Sequence, residues 1–175
     1  MRAKRIRCVF PVAVILLTCA SQGVAQRKDY LGQVEADKIR DAEGGSARIK
    51  LFLGFAADRI KKFQYELSRP ATPGDRRHGE RLNALLNAYS GCLDDAAELV
   101  DLGREKQEDI HAGIKEIQAK GKEYLAILED LAANGAEKEL YKETLEDAIE
   151  ATRDAIKDAE KASKEVAPPP VRRKN

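Results

Sequence analysis

From Ile49 onward, apolar residues recur at alternating steps of three and four. Ile49, Phe52, Leu53, Ala56, Ile60, Phe63 and Leu67 make the first series. Leu82, Leu86, Tyr89, Leu93, Ala96 and Val100 make the second, which continues as Gly103, Gln107, Ile110, Ile114, Ile117, Gly121, Tyr124, Leu128 and Leu131. Leu145, Ile149, Thr152, Ile156, Ala159 and Val166 make the last, with Ala148, Ala155 and Ala162 beside them, small enough for close helix approach. Such spacing lines one face of an α-helix. No strand-type alternation of any length appears. The chain is therefore expected to be all-α, which removes most folds that host classical nucleotide sites.

The breaks in the pattern set the number of helices. A short helix is expected around Val34–Ala42, ended by Gly44-Gly45, with Ser46 offering an N-cap oxygen to the next. Arg69-Pro70-Ala71-Thr72-Pro73-Gly74 ends that second helix because proline cannot donate to the ladder, and Asp75 can cap the third. Asn134-Gly135 ends the long central run. A last helix is expected over roughly residues 137–166, stopped by Pro168-Pro169-Pro170. Gly103 leaves two architectures open. If it is the C′ residue of one helix and Asp109 caps the next, about four long helices form an antiparallel bundle. If the helix runs unbroken from about 76 to 133, one long central helix is flanked by two shorter ones. The bundle is favoured, because a free helix of about 58 residues would run about 87 Å and two partners of half that length cover it poorly.

The first 25 residues have a different character. Arg2, Lys4, Arg5 and Arg7 carry no acidic neighbour, Cys8–Ala20 is apolar, and Gly23-Val24-Ala25 puts small residues at the −3 and −1 positions of a cut after Ala25. These are the three parts of a secretory signal peptide. An uncleaved anchor fits less well, since the apolar stretch is short for a span and Pro11 interrupts it. Leu16-Leu17-Thr18-Cys19 departs from a bacterial lipobox at Thr18, and Lys4-Arg5 is not a twin arginine, so Sec export to the periplasm or medium of a bacterium is expected. The chain then divides into a signal peptide (1–25), a polar segment with a short helix (26–45), the helical bundle (46–167) and a Pro-rich basic tail (168–175). No integral membrane span is expected after cleavage.

Composition changes with that cut. The full chain has 31 basic and 30 acidic residues, but residues 26–170 have 24 and 30, a net −6. A mildly acidic body is a poor partner for nucleic acid. Cys8 and Cys19 leave with the signal, so Cys92 stands alone and no internal disulfide framework exists. It lies on the line Leu85, Cys92, Leu99, where a thiol packs as a small hydrophobe; an intermolecular disulfide is the other reading. The basic tail, Arg172-Arg173-Lys174, is either an extended end or a small electrostatic foot for an acidic envelope surface.

Candidate sites are sparse. Glu108-Asp109-Ile110-His111 holds a Glu-x-x-His step of the kind that supplies metal ligands in helical bundles, and His78 is the other histidine. Yet the buried register there is Gln107, Ile110, Ile114, which leaves Glu108 and His111 off the seam. A solvated pair is the plainer account. No Gly-x-Ser-x-Gly, Walker A, Gly-x-Gly-x-x-Gly or haem attachment pattern is present. No catalytic residue and no cofactor is implied. The aromatic residues Phe52, Phe55, Phe63, Tyr89 and Tyr124 fall mostly on core positions, and Glu116 with Lys120 has the spacing of a favourable helix pair.

Glu35-Ala36-Asp37-Lys38-Ile39-Arg40-Asp41-Ala42, then Ala47-Arg48-Ile49-Lys50-Leu51-Phe52-Leu53 and Ala57-Asp58-Arg59, resemble a family of exported, all-helical bacterial proteins without an assigned activity. The resemblance covers residues 35–63 best. It implies export and a helical bundle, with no catalytic residue to transfer. The expectation is a non-enzymatic interaction or scaffolding module of the bacterial envelope, with a protein partner or a second copy of itself. A metal-binding bundle using Glu108, His111 and His78, and a periplasmic client-binding module with an apolar interhelical groove, are the alternatives.

Overall fold

The computed structural model describes residues 30–69, 75 and 77–165. The signal segment, Val166 and the basic tail lie outside the described residues. Five α-helices succeed one another: α1 (Gln33–Asp41), α2 (Gly45–Ser68), α3 (His78–Glu105), α4 (His111–Asn134) and α5 (Lys142–Glu165), with a short 3-10 turn at Lys138–Leu140 before α5. No strand occurs among the described residues. The apolar series read from the sequence forms one continuous core. Ile49, Leu82, Tyr89, Cys92, Ile110 and Leu128 are fully enclosed.

The four long helices alternate in direction along the chain and stand in the order α2, α3, α5, α4 around the core. α2 pairs antiparallel with α3, and α4 antiparallel with α5. The two hairpins lie side by side, so α2 runs parallel to α4 and α3 parallel to α5. Side-chain contacts fix these directions. Ser46, at the start of α2, reaches Asp109 and Gly113 at the start of α4. Asn83, near the start of α3, bonds Leu140 just before α5, and Arg104 pairs with Glu165 where the same two helices end. The link from α3 to α4 therefore crosses a diagonal of the bundle.

The unbroken-helix alternative is excluded. Tyr89 and Tyr124 would stand about 52 Å apart on a single helix, yet their rings meet edge to face across the diagonal with centroids 6.0 Å apart. The break has a different structure from the one expected. Gly103 lies inside the last turn of α3, and Gln107 takes the left-handed conformation, φ 56°. Glu108 N–H bonds Gly103 C=O (2.9 Å) and Gln107 N–H bonds Arg104 C=O (3.2 Å). These two bonds form a Schellman motif, which satisfies carbonyls that the helix end leaves open. Gln107 is accordingly exposed rather than in the buried register. Gly103 is needed for a close approach instead: a Cβ there would stand 2.5 Å from Ile110 Cγ2.

Two further local expectations are corrected. Ser46 does not cap its own helix; Gly44 precedes α2 at φ 80°, ψ 158°, a region essentially reserved for glycine. The Ser46 hydroxyl accepts from Gly113 N–H (3.2 Å), one of the open donors at the start of α4. α5 begins at Lys142, not 137, because Glu137 turns left-handed and the 3-10 turn intervenes.

Candidate functional site

Helix α1 and the middle of α2 meet through Glu35 and Arg59. Glu35 on α1 and Arg59 on α2 pair at 2.6 Å, with Arg59 only 7% exposed. The same guanidinium donates to Tyr30 C=O (3.0 Å) and to Asp58 (2.6 Å). The Tyr30 hydroxyl donates to Asp95 on α3, itself buried, and the Tyr30 ring lies against Gly91. Residues 30–41 are thus fastened across the outside of the α2–α3 hairpin by these polar contacts and by the half-buried Tyr30, Leu31 and Ile39, while α1 itself has no fully buried residue.

The electrostatics stem from that geometry. Burial works to raise Glu35, but hydrogen bonds from Arg59 and from Gly32 N–H outweigh it and hold the carboxyl below the usual range. At Asp58 burial is likewise outweighed, here by Lys62 and Arg59, and the carboxyl is lowered. The bond to Glu35 raises Arg59 despite burial. Burial, aided by Cys92, Asp94 and Glu98, pushes the Tyr30 phenol up. These groups bind one another tightly and keep the charges they have at neutral pH. Cys92 is fully buried beside this cluster, as its place on the helix implies.

The sequence reading did not single out this cluster, although a physical signal was present. Arg59 shares the stripe of Ala56 and Phe63, and Asp95 that of Cys92 and Leu99, each at steps of three and four. A charge on an apolar stripe needs a buried partner.

His78 is buried at the opposite edge of the α2–α3 hairpin, 3% exposed. Its Nδ1 stands 3.4 Å from Arg81 Nη2 and 3.5 Å from Glu66 Oε1. Nε2 faces Glu137 Oε2 at 3.0 Å, out of line for a hydrogen bond. Arg81 also binds Glu66 (2.6 Å) and Asp75 (2.8 Å). It holds both carboxyls below their ordinary range, with Arg77 N–H assisting at Asp75.

Glu108 and His111 lie at the other end of the bundle. His78 opens α3 and Glu108 comes just after its end, and that 28-residue helix spans about 40 Å. The structure therefore does not bring the three candidate ligands together. His111 Nδ1 is 3.3 Å from the exposed Asp109, and Glu108 is exposed. Among the described residues no group of three His, Cys, Asp or Glu side chains is placed to hold a metal ion.

A groove of about 350 Å³ runs between the parallel helices α2 and α4. It exists because Gly54 and Ala57 leave the α2 side low. Leu53, Ile60 and Tyr124 form its floor, and the Tyr124 hydroxyl donates to Leu53 C=O at 2.8 Å. Burial, with the charges of Glu123 and Glu116, pushes that phenol up to about 12. Lys50 and Lys61 stand on the α2 wall; Glu116, Lys120 and Glu123 stand on the α4 wall. Lys120 bonds Glu123 (2.8 Å) rather than the expected Glu116.

No family model, curated protein or solved structure matches the chain. No helix among the described residues is long and apolar enough to cross a membrane.

Proposed function

We propose that this protein is a non-enzymatic interaction or scaffolding module, exported to the bacterial envelope by its N-terminal segment. The observation that carries the reading is the way the buried polar groups are used. Arg59 is saturated by Glu35, Asp58 and Tyr30 C=O. Tyr89 is spent on Thr152, and Tyr124 on a backbone carbonyl. Each closes a contact between elements of the bundle, and even Tyr124, whose raised phenol borders the α2–α4 groove, spends its hydroxyl on Leu53 C=O rather than offering it to a ligand. The geometry thereby favours a rigid body that presents surface.

The client-binding alternative has one specific support, the groove between α2 and α4. Its floor, however, is already covered: Leu53 is 1% and Ile60 3% exposed. Little apolar surface is left to attract an unfolded chain, which favours the module over the chaperone.

Crosslinking in the native envelope fraction, followed by pull-down of the chain, tests the reading. A protein partner recovered in stoichiometric amount is the expected result. Turnover of a substrate by the purified protein, abolished by a single side-chain change, would overturn it.

A further inference from the structure

We infer that the α2–α4 face is a self-association surface, on which two copies meet with helices parallel, the lysine wall of each against the carboxylate wall of the other. The inference starts from register. α2 and α4 run parallel, and Ile49 lies against Gly113 at their starts. Counting from that pair at about 1.5 Å per residue, Glu116 stands at the height of residue 52 and Glu123 at that of residue 59. Each is within about 3 Å, along the axis, of Lys50 or Lys61. Opposite charges thus stand at matched heights on the two walls of the groove.

No ion pair among the described residues joins those two walls within one chain. Among the described residues Lys50, Lys61 and Glu116 have no ion-pair partner; the neighbouring cations that do are Lys62, on Asp58, and Lys120, on Glu123. A two-fold rotation about an axis parallel to the helices changes no residue's height. It lays α2 of one copy over α4 of the other. Lys50 then faces Glu116 of the second copy, and Lys61 faces its Glu123. Lys120, between the two carboxylates, comes level with residue 56 of the second copy. There Gly54 is exposed with open space around it and Ala57 is small, a shelf that receives the lysine stem.

The alternative two-fold axis, across the helices, would set lysine wall on lysine wall. Charge therefore selects one arrangement, and that arrangement closes as a dimer rather than a filament. The covered floor makes this a contact carried by charge, so it weakens with salt. It stands independently of the envelope reading: a monomer that still captures an envelope partner removes the dimer and leaves the module.

Sedimentation equilibrium of the full chain, at low and at high salt, tests it. A concentration-dependent dimer is expected, weakened at least about tenfold by high salt. Lys50→Glu with Lys61→Glu, and separately Glu116→Lys with Glu123→Lys, should each give a monomer with an unchanged helical circular dichroism spectrum. Mixed in equal amounts, the two variants should form a heterodimer, because both contact sets are then attractive. A wild-type chain monomeric at low salt, a dimer that either reversal leaves intact, or variants that stay monomeric when mixed would each overturn the inference. If a reversal fails to fold, the neutral pair Lys50→Gln with Lys61→Gln takes its place, with loss of the dimer again expected and its persistence contrary.

Discussion

Glu35 and Arg59, 24 residues apart in sequence, meet at 2.6 Å where the N-terminal segment crosses the α2–α3 hairpin. Glu35 is the more exposed partner, at 20% against 8% for the Arg59 side chain. The consequences of removing each therefore differ. Without Glu35, a buried guanidinium keeps Asp58 and one carbonyl but loses one of the two carboxylates that stand 2.6 Å from it. Breaking a buried pair by removing one partner costs about 3–5 kcal/mol, and less where water can reach the remaining charge. Glu35→Ala should cost about 2 kcal/mol of the docking of residues 30–41, not of the whole fold. Hydrogen exchange reads this directly: protection should fall in α1 and remain in α2 to α5. Uniform loss across all five helices would show that the segment is part of the core's cooperative unit.

Tyr89 and Thr152 join α3 to α5 inside the core, 2.6 Å apart. Thr152 also donates to Ala148 C=O, so Tyr89 must be the donor of the pair. The two partners are therefore unequal. Tyr89→Phe leaves Thr152 satisfied through Ala148 and should cost about 1 kcal/mol. Thr152→Val leaves the Tyr89 hydroxyl buried without a partner and should cost about 2–3 kcal/mol. The double variant should be more stable than Thr152→Val alone, because the orphaned group is gone. Urea unfolding of the three variants checks the order.

The periodicity made most of this fold legible. The apolar positions of α2, α3 and α4 nearly all proved buried, because a 3.6-residue repeat leaves one face no alternative but the core. The ring order of the helices was not legible. Nothing in residues 106–110 says that the link crosses a diagonal; Gly103 and Ile110 decide it by packing against each other. Ser46 shows the same limit. Its identity announces a capping oxygen, but which helix end it serves depends on α4 standing parallel beside α2. Of the site, Arg59 and Asp95 could have been flagged as charges on apolar stripes, whereas Tyr30 lies in a segment without periodicity. The groove was invisible, since a low Gly54 and Ala57 matter only once α4 lies alongside.

The α3–α4 turn yields opposite predictions for two neighbouring positions. Gln107 holds a left-handed backbone at φ 56°, exposed, at the C′ position where glycine is favoured. Gln107→Gly should stabilise by about 0.5–1 kcal/mol, the relief of left-handed strain less the extra freedom of glycine when unfolded. Gly103→Ala should instead destabilise by about 1–3 kcal/mol, because its Cβ would meet Ile110 Cγ2 at 2.5 Å. Ile110→Ala removes that obstacle, so Gly103→Ala should cost clearly less in its presence. Thermal melts of the wild type, the two single variants and the double variant give the coupling. Additive losses would mean that the turn relaxes away from the contact.

Acid should loosen the molecule at both edges of the α2–α3 hairpin. Glu35, Asp58, Glu66 and Asp75 all titrate below their ordinary values, each held down by an arginine or lysine. A lowered carboxyl binds protons less readily folded than unfolded, so its stabilisation is complete above the unfolded value, about 4 to 4.5. That stabilisation is lost as pH falls through the lower folded value. Asp94 works the other way: burial raises it, so it opposes folding once deprotonated in both states. Four groups outweigh one. The melting temperature should stay level from neutral pH to about 5 and fall steeply below about 4. Glu35→Gln should make that fall shallower and move the loss of α1 protection to neutral pH, while leaving the Glu66–Arg81–Asp75 contribution in place. A melting temperature that rises on acidification through this window would contradict the pairing described for these four carboxylates.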